Sequence, residues 1–567
     1  MSSTVSTVSS YKPITTSGQI TYSGLGNGTD FDSMIKKLVQ VEQSRITSLQ
    51  TWKKSWTDKQ TAFQKLNTEM LSLKTTLGSM DSMDKFMTKA VDTSNSTVVT
   101  AVAGAGAENG SHQLTVNRLA TAKAMVTTTG YASATTDINS SSSDVVFAYT
   151  YKGVSYSNAV GANSTLNDLV SIINNDARNP GVKASVSYDG SKYYLQLRGM
   201  DTGTTASLTV ASNSTLSGFS NSDFTTITSN GSAQLKLDGW PAAANTWISR
   251  ESNSVTDLVN GVTLTLKSTG ASTLAVSTDI SAIKEKIKTF VEQMNSVRTM
   301  IQAISKVDST TKKASLLTGN YGIQLIDTNL KTAVAGLGIG FNYDQDKYST
   351  LSQLGILTDA EQGSTTEGLL VINESVLDTV LASNADAVGQ LFAAQNISRT
   401  SSSAFSISSY IKNTTKPGTY QLSYTTDAGG KITAAMINGH PTTFSSNANT
   451  ITGRQGYDEA GMVIRIVDTT PGVHTGEVGL KQGKAGQLGD LLGELTDSQD
   501  GPLHILDNNY NGITSMIDKK IAYEQRRISS YASNLRKRFS KVDALLGTYN
   551  QMQNQLTSQI KQLSSSS

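Results

Sequence analysis

The ends of the chain carry the pattern that most restricts its fold. Residues 29–77 contain neither Gly nor Pro, and apolar side chains recur there every seven residues from Ile35 onward, with Glu42 as the exception. A second row of the same period starts at Leu38. Spacings of three and four sustained over this length are typical of a long helix with a coiled-coil seam. We therefore predict one helix of about 70 Å, with Asp30 as its N-cap.

The C-terminus repeats this pattern. No proline follows Pro502, and from Ile513 onward the only glycine is Gly547. Apolar side chains recur every seven residues from Ile521 to Leu563. The pattern predicts a second long amphipathic helix that ends in a tail of serines.

Two such helices at opposite ends of one chain can pair with each other, and their apolar stripes favour assembly with further copies. An ordinary multi-domain protein with a terminal helical hairpin is the alternative. The predicted interface residues are Ile35, Leu38, Leu49, Trp52, Trp56 and Phe63 in the first helix and Ile528, Leu535, Val542, Leu545, Tyr549, Met552 and Leu556 in the second.

The glycines before the first helix, Gly24, Gly26 and Gly28, resemble a phosphate-binding loop only superficially. No strand leads into them and no Lys follows, so we interpret them as a flexible hinge. Residues 1–20 are polar and are expected to be disordered.

The middle of the chain alternates between apolar and polar residues and is rich in turns, with helical stretches from Asp279, at 321–334 and at 374–393. The predicted fold class is α+β and multi-domain, with long terminal coiled-coil helices that pair with each other, a helical bundle domain and inserted antiparallel β domains. The predicted segments are a tail and leg helix (1–45), a helical domain in three parts (46–90, 279–403 and 483–527), a β domain in two parts (91–125 and 235–278), an inserted outer β domain (126–234), an additional β insert (404–482) and a C-terminal leg helix (528–567).

Composition and motifs give little support for catalysis. The chain has no Cys and four widely separated His, so cysteine chemistry is excluded and no sequence-local zinc motif exists. No nucleophile elbow or phosphate-binding P-loop occurs. We therefore predict no cofactor, no metal and no enzymatic activity.

Charge and hydropathy exclude other partners. The formal net charge is only +2, which argues against a nucleic-acid binder. The basic residues concentrate at Arg526, Arg527, Arg536, Lys537, Arg538 and Lys541, on the flanks of a heptad helix where solvated or interhelical positions are expected. No apolar run reaches the length of a membrane span, and the N-terminus lacks an ordinary secretory signal.

Several motifs, in order, are similar to those of a known family. They are Ser23-Gly-Leu-Gly-Asn-Gly-Thr-Asp-Phe-Asp, Leu114-Thr-Val-Asn-Arg-Leu-Ala, Leu258-Val-Asn-Gly-Val-Thr-Leu-Thr-Leu, Leu351-Ser-Gln-Leu-Gly-Ile-Leu-Thr-Asp and Glu524-Gln-Arg-Arg-Ile. Together they resemble the flagellar hook-associated protein 2 family, which caps flagellar filaments. Asn27 stands where Ser is common, Thr29 where a hydrophobic residue is usual, and the insert at 404–478 departs from shorter members.

The resemblance implies a function. Members are exported through the flagellar type III channel without a cleaved signal and form a small homo-oligomeric ring, here predicted at four to six subunits, at the extracellular filament tip. Their terminal helices are legs that contact the filament, their β domains form a plate, and the ring promotes folding and insertion of flagellin. The implied partners are flagellin, hook–filament junction proteins and an export chaperone. Host mucin or glycan is the expected partner only if the chain is also an adhesin, and charge and hydropathy predict no nucleic acid and no membrane as partners.

Two other functions remain open at this point. A flagellin or a junction protein also has helical ends around β inserts. A surface adhesin would use exposed aromatic residues to stack on sugars, and Tyr193, Tyr194, Trp240 and Trp247 are the candidates, although packing in a core is the simpler interpretation of them.

Overall fold

The fold was derived from a computed structural model, which describes residues 30–307 and 312–564. Within them, eight α-helices occur, and the first and last are the longest. The helices are α1 (Phe31–Gly78), α2 (Met83–Phe86), α3 (Leu166–Asn175), α4 (Ile280–Ser305), α5 (Tyr321–Ala335), α6 (Glu374–Ala393), α7 (Lys484–Leu495) and α8 (Pro502–Ser564).

Both predicted terminal helices are confirmed. The Asp30 carboxylate accepts a hydrogen bond of 2.9 Å from the Ser33 backbone N–H, so it caps α1 as the sequence indicated. Helix α8 begins at Pro502, earlier than the heptad pattern suggested. Proline is favoured in the first turn because the N–H that it lacks would have no partner there. Gly512 lies inside the helix.

The described residues between α2 and α4 form fifteen strands, with α3 among them. The strands are β1 (Lys89–Thr93), β2 (Val99–Ala103), β3 (Gly110–Arg118), β4 (Ala124–Thr127), β5 (Val145–Tyr151), β6 (Val154–Val160), β7 (Val182–Tyr188), β8 (Tyr193–Gly199), β9 (Leu208–Val210), β10 (Phe224–Thr228), β11 (Ala233–Leu237), β12 (Ile248–Arg250), β13 (Ser254–Val259), β14 (Val262–Leu266) and β15 (Gly270–Thr278).

These strands enclose two hydrophobic cores. One core lies between the sheet β1-β15-β3-β11-β12 and the sheet β13-β14-β2. The other lies between β10-β4-β8-β7, β6-β5-β9 and α3. Because β3 pairs directly with β11, the second core is built from chain inserted between two neighbouring strands of the first.

The predicted hairpin around Asp189-Gly190 is present: β7 and β8 pair from Val182 opposite Gly199 to Tyr188 opposite Tyr193. The Asp189 carboxylate closes the turn by accepting hydrogen bonds from the N–H groups of Ser191 and Lys192. Such a side-chain-stabilised turn is the usual role of Asp between two strands.

A third β region follows the helices α5 and α6. Its strands, with the short hairpin that precedes α6, are β16 (Ile356–Thr358), β17 (Leu370–Ile372), β18 (Gln395–Thr400), β19 (Phe405–Ser409), β20 (Gly418–Thr426), β21 (Ile432–Ile437), β22 (His440–Pro441), β23 (Thr443–Ser445), β24 (Thr450–Thr452), β25 (Val463–Ile466) and β26 (Gly472–Gln482). Sheets β18-β26-β20-β21-β22 and β19-β25-β24-β23 enclose its core. The region starts at Gln395 rather than near residue 404, because β18 pairs with β26.

The chain divides into two compact units. The first comprises the described parts of 1–72, 296–329 and 491–567, and the second comprises 73–295 and 330–490. The first unit is helical and holds most of α1 and α8, whereas the second holds every strand named above. Of the helices in the described residues, none is long and apolar enough to cross a bilayer.

Candidate assembly surface

The two terminal helices pair antiparallel within the first unit. The Phe31 ring stacks on Phe539, with centroids 5.1 Å apart, at the start of α1. Further along, Lys53 forms an ion pair of 2.7 Å with Asp518, and the Gln64 amide donates to Asp507 at 3.2 Å. The residue numbers rise along α1 while they fall along α8, so the predicted pairing of the two ends is confirmed.

Four of the α1 partners in this interface are spaced eleven residues apart, namely Phe31, Glu42, Lys53 and Gln64. Eleven residues are close to three full helical turns, so these four side chains lie on one face of α1. The heptad row that the sequence showed crosses this face at Glu42. Polar and aromatic contacts at the longer spacing therefore fix which residues meet.

Glu42, the residue that breaks the apolar row, is part of this interface. Its carboxylate accepts a hydrogen bond from the Arg527 guanidinium, which also binds Glu524 at 2.7 Å. The hydrogen bond from Arg527 holds the pKa of Glu42 below its usual value, and the bond to Glu42 raises the pKa of Arg527. The group stays charged at neutral pH and joins Glu42 of α1 to Arg527 of α8.

An aromatic cluster lies at the opposite end of the interface, near the N-terminal end of α8. The Tyr510 ring lies 5.5 Å from Trp56 and 5.6 Å from Phe63, measured between centroids. The Asn320 side-chain amide donates to the Tyr510 hydroxyl at 3.1 Å. Because its hydroxyl is hydrogen-bonded, Tyr510 can be buried at little cost, and sequence periodicity alone gave no signal for it.

The structure separates the predicted interface residues into two groups. Buried or half-buried are Ile35, Leu49, Trp56, Phe63, Ile528 and Leu535. Exposed by more than 40% are Leu38, Trp52, Val542, Leu545, Tyr549, Met552 and Leu556. The predicted hinge at Gly24, Gly26 and Gly28 lies outside the described residues.

Exposed apolar residues near the C-terminal end of α8 form one continuous stripe. We call it the C-terminal stripe: Val542, Leu545, Tyr549, Met552, Leu556 and Ile560, which are 43% to 68% exposed. Their spacings of three and four place them on one helix face. Ile560 was missed from the sequence although it continues this spacing. Phe539 is the residue that stacks on Phe31, and α8 continues beyond it to Ser564. The C-terminal stripe therefore begins where α1 no longer lies opposite α8.

The aromatic candidates for sugar stacking have different surroundings. The Tyr193 ring packs 4.6 Å from Tyr188, and the Tyr194 hydroxyl donates to Asp189. The Lys236 ammonium lies 5.2 Å from the centre of the Trp247 ring. Trp240 is exposed by 66%. No group of three or more metal-ligating side chains occurs among the described residues.

Comparison with known proteins points to one family. The family model for the flagellar hook-associated protein 2 N-terminus matches residues 27–123, and the model for the C-terminus of the same family matches residues 231–456. Together they cover more than half of the chain. The B-type flagellar hook-associated protein 2 of Pseudomonas aeruginosa is 26% identical over 391 residues, which is 65% of this chain and 79% of that protein.

Further similar proteins include one relative and one solved structure. Flagellar hook-associated protein 2 of Escherichia coli is 26% identical over 389 residues, again 65% of this chain and 79% of that protein. Among solved structures, the D1-D2-D3 domains of the flagellar cap protein FliD from Escherichia coli match with a TM-score of 0.48 and 25% identity, covering 58% of this chain and 89% of that one.

Proposed function

Because the chain belongs to the flagellar hook-associated protein 2 family, we propose that it is the structural cap at the distal end of a bacterial flagellar filament. It acts there by binding rather than by catalysis. The β regions form a plate, the helical legs contact the filament, and the assembly promotes folding and insertion of exported flagellin.

The observation that carries this proposal is the C-terminal stripe. Six apolar side chains on about 27 Å of helix face solvent. Contiguous apolar surfaces of this kind mark sites of protein–protein contact. Where the amphipathic helix α8 extends past its paired helix α1, it is suited to bind in a groove of a neighbouring helical subunit.

The proposal includes the partners that this role requires. The chain forms a ring of four to six copies, contacts flagellin through the legs and meets hook–filament junction proteins and an export chaperone on its route to the extracellular tip. The predicted division into legs, helical domain, plate domains and insert is kept as part of this proposal. Binding of mucin or glycan stays a prediction.

Truncation after Phe539 tests the leg. We expect the shortened protein to keep its plate, because the described cores of the β regions contain no residue beyond 539. Cells that carry it in place of the full chain should lack filaments and release flagellin monomers. Electron microscopy of the cells and quantification of flagellin in the medium measure both effects.

Substitutions within the stripe provide the matched control. Leu545→Glu, Tyr549→Glu and Leu556→Glu place charge in the C-terminal stripe, whereas Gln551→Glu, Asn554→Glu and Ser558→Glu place the same charge on the opposite helix face. Only the first set should abolish filament growth. Normal filaments with the first set, or equal loss with both, would overturn the proposal.

A further inference from the structure

Of the four sheet edges around the second core, one is left open. Side chains bind the backbone of the other three edge strands. The Asn179 side chain binds β7. The Arg178 guanidinium donates to the Ser157 C=O of β6 at 3.2 Å, and the Asn221 amide oxygen accepts from the Val210 N–H of β9 at 3.1 Å. The fourth edge strand, β10, pairs only with β4, and no described side chain forms a hydrogen bond with its backbone.

The composition of β10 suits strand pairing. Residues 225–228 are all exposed, and no proline or charged residue occurs from 224 to 235. The Lys123 ammonium donates to the Thr226 hydroxyl at 2.7 Å and so already has an acceptor. An exposed edge of β-branched residues without charge is a template for a further strand. A bulge at Ile227, which is 55% exposed, keeps this edge short and so suits transient binding.

Thr226 directs its backbone toward the open side. In an antiparallel pair, alternate residues turn both backbone groups toward the neighbouring strand. The Thr128 N–H, which follows β4, donates to the Asp223 C=O at 2.7 Å, so residue 223 faces β4. Thr225 lies two residues further and faces β4 as well. The N–H and C=O of Thr226 therefore point away from β4, to the side where no other strand of the sheet lies.

We propose that β10 binds an extended segment of an exported flagellin chain, which adds to the sheet as a fifth strand. The inference rests on the proposed function, in which the assembly promotes folding of exported flagellin, and it assigns the place and chemistry of capture. Backbone groups supply the hydrogen bonds, so the partner is defined as an extended, uncharged stretch rich in β-branched residues. A folded second copy fits less well, because side chains already bind the other three edges of this region.

Two synthetic peptides test the proposal on the full-length protein. Both are uncharged and alternate Thr with Val, and in one of them the two central residues are N-methylated. Because consecutive residues turn their N–H groups to opposite edges, these methyl groups block both edges. Fluorescence anisotropy of the labelled peptides gives each dissociation constant. We expect the unmodified peptide to bind at least about ten-fold more tightly, at about 50 mM and about 500 mM salt alike, since no ion pair is involved.

Variants at Thr226 locate the site. Thr226→Pro removes the outward N–H at an edge position where proline is tolerated, and it should weaken binding of the unmodified peptide at least about ten-fold. Thr226→Val keeps the N–H and should preserve binding. Ile227→Lys places a charge on the open edge without removing a backbone group and should also weaken binding. Val154→Lys, at a residue of β6 that is 54% exposed, is its control.

The outcomes separate this inference from the cap proposal. Equal affinity of the two peptides, or equal effects of Thr226→Pro and Thr226→Val, would overturn the inference. Self-association of the protein that Thr226→Pro abolishes, without binding of either peptide, would place a second copy at this edge and would overturn it as well. Because β10 lies outside the C-terminal stripe, a failed peptide test would not affect the cap proposal, and normal filaments with a charged stripe would not affect the peptide result.

Discussion

At the scale of single residues, polar side chains that break the local apolar pattern specify which residues of two elements meet. Glu42 breaks an apolar heptad row, and the structure explains the break through its bond to Arg527 of the opposite helix. A sequence shows that Glu42 is out of pattern but not what it faces, because the partner lies hundreds of residues away. Single buried or half-buried ionic groups of this kind commonly fix register in paired helices.

Glu251 is the clearest example of such a residue in the β regions. Its carboxylate accepts hydrogen bonds from the Thr205 N–H at 3.0 Å, the Ser232 hydroxyl at 2.7 Å and the Thr204 hydroxyl at 2.9 Å. These bonds, led by that from the Thr205 N–H, lower the pKa of Glu251 to about 2. A Cβ on Gly203 would meet the same carboxylate at 2.0 Å, so only glycine fits there.

The low pKa of Glu251 predicts a pH dependence of stability. A carboxyl group whose pKa is lower in the folded state stabilises the fold above its unfolded value of about 4.5, and this stabilisation is lost as pH falls toward about 2. Glu251→Gln should therefore be less stable than the parent chain at pH 7, with the difference shrinking at acidic pH.

Urea denaturation at several pH values measures the free energy of unfolding for this comparison. Glu108→Gln is the control, since the exposed Glu108 side chain accepts no hydrogen bond among the described residues. A difference between parent and Glu251→Gln that does not change between pH 7 and pH 3 would contradict the prediction.

At the scale of elements, the edge of β7 shows how a strand is protected. The Asn174 side chain donates to the Ala184 C=O at 2.8 Å and accepts from its N–H at 2.9 Å. Asn179 forms the same pair of bonds with Val182, both at 2.8 Å. Two amide side chains thus take the place of a neighbouring strand along half of an edge that would otherwise be open to pairing.

Removing one of these amides should open the edge. We expect Asn174→Ala to cause concentration-dependent self-association, because the backbone groups of Ala184 then become available to a strand of another copy. Size-exclusion chromatography with light scattering measures this. Asn175→Ala, at the neighbouring exposed residue, is the control. An Asn174→Ala variant that associates no more than Asn175→Ala would refute the protective role.

At the scale of the whole molecule, buried ion pairs connect regions that lie far apart in sequence. Lys481 of β26 binds Asp346, which precedes the third β region, and their side chains are 11% and 8% exposed. Asp346 also accepts a hydrogen bond from the Asn342 N–H at 2.8 Å. By contrast, the pair of Lys416 and Asp458 in the same unit is 71% and 63% exposed.

These two pairs predict different costs of mutation. Asp346→Ala leaves a buried ammonium without its partner and should lower the free energy of unfolding by about 3 kcal/mol. Asp458→Ala removes an exposed pair and should cost less than about 1 kcal/mol. Adding Lys481→Met to Asp346→Ala should recover part of the loss. Urea unfolding of the four proteins measures these values, and equal small losses for the two single variants would contradict the prediction.

The sequence by itself determined the elements whose information is local. The absence of Gly and Pro together with periodic apolar residues was enough for α1 and α8, Asp30 was enough for a cap, and Asp189-Gly190 was enough for a hairpin, since each depends on neighbours within a few residues. Tertiary structure decided everything that depends on distant partners. Phe539 lies opposite Phe31, so the same apolar pattern is buried at Ile528 and exposed from Val542 onward. A heptad pattern shows that one face of a helix is apolar. Only the position of the other helix determines whether that face is already covered by it or is free to bind another protein.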